Sequence, residues 1–148
     1  LHALGVRSFV LDGDNLRSGL NKDLGFTPED RAENVRRVGE VARLMYDAGL
    51  VVVVALVSPF RADRQAVRSM FPAGDFVEAW VDTPIEVAME RDTKGLYAKS
   101  RAGSLPNLTG VGQQYENPES AELHLSGTDP VEQNVAVAVE GLLPGMID

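Results

Sequence analysis

Where the apolar run through Phe9, Val10 and Leu11 stops, the chain reads Asp12-Gly13-Asp14-Asn15-Leu16-Arg17. Two carboxylates, an amide and a guanidinium thus fall within six residues. Carboxylates can hold a cation or take a proton, and a guanidinium fork matches the oxygens of phosphate or sulfate, so the set suits a metal-bound polyphosphate held beside an acceptor. In an open parallel sheet, ligands sit beyond the carboxyl ends of the strands, which is where this run falls. The plain alternative is a polar turn that caps the next helix.

Positioning such a set requires strands and helices in alternation, and the chain supplies them. Residues 6–11 favour a strand. Residues 50–57, Leu-Val-Val-Val-Val-Ala-Leu-Val, are apolar on both faces, as a central parallel strand covered by helices must be. Residues 75–81 and 122–125 are further strand candidates. Thr27-Pro28-Glu29-Asp30 combines a side-chain cap, a proline at the first helical position and acids in the first turn. The stripe Val35, Val38, Val41, Ala42, Met45 continues that helix to Gly49, a residue type suited to a left-handed stop. Helices are expected over 61–70, 84–91, 95–102 and 130–142. The pattern predicts an α/β fold, a three-layer α/β/α sandwich around a parallel sheet. Three strand ends, at Asp12 to Asn15, Ser58-Pro59 and Asp82-Thr83, should meet on one edge.

The 148 residues are 44% apolar with a formal net charge of −8, enough for the core of a single domain spanning 1–148 and unfavourable for nucleic acid or anionic membrane. No apolar run approaches the ~20 residues that span a bilayer. There is no cysteine and no secretory-type leader, which makes a cytoplasmic protein the expectation. Against the acidic background, residues 91–103 carry a local charge of +3 through Arg91, Lys94, Lys99 and Arg101 against Asp92, and a positive segment of this kind suits an anionic ligand. Arg31 and Asn34 lie one turn apart and could reach the same cleft. Arg36, Arg37 and Arg43 are expected to be solvated or paired with Glu33 and Glu40. His2 and His124 have no partners at metal-ligand spacing and receive no role.

Taken together, Asp12 to Arg17, Gly19-Leu20-Asn21, Asp23-Leu24-Gly25-Phe26, Asp30-Arg31, Glu33-Asn34, Arg36-Arg37, Ser58-Pro59-Phe60-Arg61, Asp82-Thr83-Pro84, Lys94-Gly95-Leu96-Tyr97, Arg101-Ala102-Gly103 and Thr109-Gly110-Val111 resemble the adenylylsulfate kinase family. That family is of P-loop fold and transfers the ATP γ-phosphate to the 3′-hydroxyl of adenosine 5′-phosphosulfate (APS), using magnesium. The resemblance implies that Asp14 lies near the 3′-hydroxyl and Mg2+ as general base or orienting group, with Asp12 helping to set the metal site. It implies Arg17 and Arg31 on the phosphosulfate, Asn34 adding hydrogen bonds, Phe26 facing the APS adenine and Ser58 at a substrate-contacting strand end. Lys94 would neutralise the moving phosphoryl group within a mobile lid, while Arg91 and Thr109 would contact ATP. A homodimer, and fusion or association with ATP sulfurylase, are implied as well.

Three departures stand out. Leu108 replaces the aromatic that closes the adenine sandwich opposite the Phe26 position, and Val111-Gly112-Gln113-Gln114-Tyr115 lacks the usual acid and proline. No Gly-x-x-x-x-Gly-Lys-Ser/Thr phosphate loop occurs in the 148 residues. Leu1 to Gly5 resembles the end of the helix that follows that loop, so the expectation is an N-terminally incomplete domain, part of a longer polypeptide and inactive alone. The strand before the loop would lie between the 50–57 and 75–81 runs, leaving a gap about two strand spacings of ~4.8 Å wide. An APS-binding pseudo-kinase is one alternative. A P-loop kinase of another small acceptor, such as a nucleoside or a shikimate-like alcohol, is the other.

Overall fold

A computed structural model describes residues 1–104 and 107–142. The chain divides into two compact units, Leu1–Ala73 and Gly74–Asp148.

In the first unit, a 3-10 turn at His2–Leu4 leads into β1 (Ser8–Asp12), α1 (Gly13–Ser18), α2 (Pro28–Asp47), β2 (Val51–Ala55) and α3 (Arg61–Arg68). β1 and β2 pair in parallel, with Ser8 opposite Val51 and Asp12 opposite Ala55. The start of α2 follows its sequence signals: Thr27 Oγ1 accepts the Asp30 N–H at 3.2 Å and Pro28 opens the helix. After its last turn, Gly49 takes a positive φ of 79°. Leu11, Val38 and Ala42 form the core, with Leu16, Val41, Met45, Val52, Leu56 and Phe71 packed around it. Val38 is 1% exposed, a burial worth about 1.5–3 kcal/mol. α3 crosses α2 closely at Gly39, where a Cβ would lie 2.8 Å from the Val67 side chain.

The second unit contains β3 (Ala79–Asp82), α4 (Ile85–Arg91), α5 (Leu96–Arg101), β4 (Leu123–Ser126) and α6 (Val131–Leu142). β3 and β4 are again parallel, with Ala79 opposite Leu123. α6 packs on β4, where Leu123 is buried and a Cβ on Gly141 would overlap its side chain.

The described residues form two separate two-stranded parallel sheets, one in each unit. Two expectations need correction. Residues 50–57 are not a strand covered on both faces: β2 covers only Val51–Ala55 and, among the described residues, has β1 as its one hydrogen-bonded neighbour. With its other edge unpaired, Val53 and Val54 remain 40% and 41% exposed. The 75–81 strand in turn begins only at Ala79. Pairing with the later segment sets that start, because Leu123 N–H donates to Glu78 O and the Glu122 carboxylate takes the Glu78 N–H at 2.8 Å.

Candidate active site

β1 ends by turning directly into α1, and Asp12 makes the turn. Its Oδ1 accepts the backbone N–H of Asp14 at 3.0 Å and of Asn15 at 3.2 Å, the geometry of a helix cap. Asp14 stands in the first turn of α1, leaving its carboxylate outside the capping role. Gly13 fits closely between them: a Cβ there would lie 3.0 Å from the end of the Leu56 side chain and 3.2 Å from Ala55 O, so a neighbour would have to give by a few tenths of an ångström.

Ser58 follows the end of β2, and the register of Asp12 with Ala55 brings it to the same carboxyl edge. Its φ of 42° makes it the one non-glycine residue in the left-handed region among those described. Arg64 Nη1 holds this backbone by donating to Ser58 O at 2.7 Å, and Pro59 beside it is fully buried. A left-handed non-glycine residue costs roughly 1–3 kcal/mol and persists where a site requires it. Ser58→Gly is expected to raise the melting temperature by a few degrees while weakening substrate binding, as seen by thermal unfolding alongside substrate titration. A lower melting temperature would show that the backbone is unstrained.

Beyond α1, residues 19–26 are clamped onto α2. Arg37 donates to both oxygens of Asp23 at 2.8 and 2.9 Å, to Glu33 at 2.8 Å and to Leu20 O at 3.4 Å. Hydrogen bonds from Arg36 and Arg37 push the Glu33 carboxyl down to about 2 from its ordinary 4.5. A depressed carboxyl stabilises the fold above its unfolded value, so the clamp is intact at neutral pH and loosens as pH falls toward 2. Arg36 also reaches Glu40, whereas Arg43 pairs with Asp47 at 2.9 Å and bonds Met70 O. Of the expected pairings, Arg36 meets both Glu33 and Glu40 and Arg37 meets Glu33, whereas Arg43 takes Asp47, one turn beyond it, instead.

The clamp presents Phe26 beside two guanidiniums. Arg17 lies 4.4 Å and Arg31 5.6 Å from the ring centroid, and Phe26 is 42% exposed. Arg17 also donates to Gly25 O at 2.8 Å and Leu24 O at 3.3 Å. Burial holds the Arg17 guanidinium below the ordinary arginine value, an effect countered by Asp30 and Asp14. Burial, and then the like charge of Arg17, do the same to Arg31. Two cations held close together, one of them only 7% exposed, make a place that an anion would relieve. Asn34, 5% exposed on the same face of α2, accepts at Oδ1 from Asn21 Nδ2 at 3.0 Å. The first unit thus gathers Asp12, Asp14, Arg17, Phe26, Arg31 and Asn34 on adjoining segments, with Ser58 on the same strand-end edge.

The remaining sequence-marked residues lie in the second unit. Asp92 caps α5 through the N–H groups of Tyr97 and Ala98, each at 3.1 Å. Burial raises its carboxyl, but these backbone donors together with Leu96 and Arg101 outweigh that and leave it below its ordinary value. Arg91, Asp92, Lys94 and Tyr97 line a cleft of about 120 Å³. Arg91 Nη1 donates to Gly127 O at 2.7 Å, which fixes the side chain against the turn after β4. In the turn between α5 and β4, Leu108 O accepts from Val111, Gly112 and Gln113, and Thr109 Oγ1 is buried without a hydrogen-bond partner. His124, given no role from sequence, bonds Asp82 at 3.1 Å and stacks on Trp80 with centroids 4.6 Å apart.

Sequence reasoning missed Asn21 and the pairing of Asp23 with Arg37. The available signal was a polar, two-glycine linker between two helices, whose side chains had to find partners. A larger cleft of about 470 Å³ between α2 and α3 holds none of the residues given a catalytic or binding role from sequence. Its charged lining is mostly acidic, with Glu29, Glu33 and Asp63 against Arg36, which disfavours an anion.

Parallel strands whose carboxyl ends feed short polar turns into helices define this chain as an α/β protein of P-loop NTPase-like fold. Comparison with known proteins agrees. Residues 1–126 match the profile of the adenylylsulphate kinase family. The structure of the Mycobacterium tuberculosis APS kinase CysC in complex with AMPPNP and APS superposes with a TM-score of 0.90 at 41% identity, covering 96% of this chain and 83% of that one. The adenylyl-sulfate kinase of Klebsiella pneumoniae is 57% identical over 143 residues, 97% of this chain and 69% of that protein. The bifunctional enzyme CysN/CysC of Xylella fastidiosa is also 57% identical over 143 residues, but the chain spans only 23% of its length. The chain belongs to the adenylylsulphate kinase family.

Proposed function

We propose that the chain carries out adenylylsulfate kinase chemistry, moving the ATP γ-phosphoryl group to the 3′-hydroxyl of APS to give 3′-phosphoadenylylsulfate. The observation that carries this is the pair of crowded guanidiniums, Arg17 and Arg31, flanking an exposed aromatic ring, with the Asp14 carboxylate close enough to act on Arg17. A plain alcohol acceptor would need neither two cationic forks nor an adenine platform. In this role Arg17 and Arg31 hold the phosphosulfate, Asn34 adds a hydrogen bond, Phe26 supports the adenine and Ser58 borders the substrate. Asp14 orients the 3′-hydroxyl and accepts its proton. Lys94 neutralises charge on the transferring group, and Arg91 and Thr109 serve ATP. Phosphoryl transfer depends mainly on such positioning and charge cancellation.

Mg2+ fits the donors in this chain. It is commonly held by one or two carboxylates together with substrate phosphates, and Asp12 and Asp14 offer two where β1 turns into α1. Asp12 and Asp14 would hold it, where it would neutralise phosphate charge. We include in the proposal a homodimer, fusion or association with ATP sulfurylase, and work in the cytoplasm as one domain. Among the described residues no helix is long and apolar enough to cross a membrane.

The test is formation of 3′-phosphoadenylylsulfate from APS and ATP by the polypeptide as its source makes it, with nucleosides offered as rival acceptors. Phosphorylation of a nucleoside in preference to APS would overturn the assignment, and APS binding without transfer would mark a pseudo-kinase. Within the proposal, Leu108→Phe should tighten APS about 5- to 100-fold, since stacking an aromatic on a base is worth ~1–3 kcal/mol. Calorimetry of APS binding checks it, and unchanged affinity would remove Leu108 from the nucleotide site.

A further inference from the structure

We propose that Asn21, which need touch no substrate, is a positioning residue that fixes which face the Asn34 carboxamide shows to the anion. The idea rests on the functional reading above. A carboxamide can present either its oxygen or its nitrogen, and only the nitrogen attracts an anionic ligand. Asn21 is 0% exposed, and its Nδ2 donates to Asn34 Oδ1 at 3.0 Å. That bond occupies the Asn34 oxygen within the protein. Among the described residues, Asn34 Nδ2 has no hydrogen-bond partner, so it remains free to donate.

The opposite arrangement, with both amides turned, is the costlier one. As placed, Asn21 Oδ1 lacks a partner while its NH2 uses one of its two N–H groups on Asn34. With both amides turned, neither N–H of the buried Asn21 NH2 would be used there, and orphaned N–H groups are rarer than under-satisfied oxygens. Burial keeps water from relaxing the choice. The Asn21 backbone adds a second constraint: its N–H donates to Leu16 O at 2.8 Å and its carbonyl accepts from Leu24 N–H at 3.1 Å. Asn21 is thereby tied to the end of α1, the helix of Asp14 and Arg17, while its side chain sets a residue of α2.

Asn21→Asp tests this in the polypeptide as its source makes it. The carboxylate has nearly the same shape but only accepts, which forces Asn34 to turn its NH2 inward. Two readouts are needed. In nitrogen-15 spectra of the ligand-free protein, the Asn34 side-chain amide should pass from rapid solvent exchange to protection. Calorimetry should show APS affinity falling about tenfold or more, and in an Asn34→Ala background the same Asn21→Asp change should alter affinity less than twofold. An Asn34 amide that is unchanged in exchange overturns the proposal, as do effects of the two substitutions that simply multiply. Should Asn21→Asp not fold, Asn21→Ala releases the lock and is expected to show the same dependence on Asn34. If the wild-type protein binds no APS, the functional reading fails, while the amide-exchange result still decides the role of Asn21.

Discussion

Asp14→Asn should lower kcat by ~10²–10⁴ with little change in APS affinity, the usual scale for removing a positioned acid–base group. The structure sharpens this expectation, because the helix cap belongs to Asp12. With the Asp14 and Asn15 N–H groups satisfied by Asp12 Oδ1, the change at Asp14 replaces one oxygen by an NH2 of equal shape and leaves the start of α1 intact. Melting temperature should therefore fall only by what the lost charge beside Arg17 contributes. Loss of turnover at near-constant stability is the signature of a group that acts on the reaction. Steady-state product formation and thermal unfolding of the same preparation check both halves. Near-full turnover would remove Asp14 from the proton transfer, and a large fall in melting temperature would make it a structural residue.

That separation of two neighbouring aspartates was not legible in the sequence. Asp12 and Asp14 are chemically equivalent there, and the helix-cap alternative applied to either. Only the extended backbone at Asp12, with φ −90° and ψ 132°, turns its carboxylate onto the next amides. The long helix shows the opposite case. The cap at Thr27, Pro28 at the first position, and burial of Val35, Val38 and Ala42 all follow from side-chain chemistry within a few residues, and α2 bears them out.

Strand limits and strand burial failed for a shared reason. Four consecutive valines favour a strand, but whether its faces are covered depends on partners distant in sequence. β2 has one paired edge, and Val53 and Val54 remain half-exposed. β3 likewise starts where Glu122 and Leu123 can reach it, not where β-favouring residues begin. The site follows the same rule. Arg31 and Asn34, one helical turn apart, could be grouped by counting, whereas Asn21 could not, because its partner lies thirteen residues away across a loop.

Arg31→Met should raise KM for APS by about 30-fold or more while changing ligand-free stability little. The two halves have a common cause. In the ligand-free protein Arg31 is disfavoured by burial and by the like charge of Arg17, a cost present at every pH at which its guanidinium is charged. Met fills much of the same volume without charge, so the replacement removes that cost and gives up the guanidinium contact with the Phe26 ring. The phosphosulfate then loses a largely buried guanidinium fork, and removing one side of a buried charged hydrogen-bonded pair costs about 2–5 kcal/mol. Because that contact is to a part of the substrate that does not react, the loss should fall mainly on KM and less on kcat. A residue kept for stability would behave the other way. If Arg31→Met melts several degrees lower and binds APS normally, Arg31 serves the packing of α2, and the anion site must be sought at Arg17 alone.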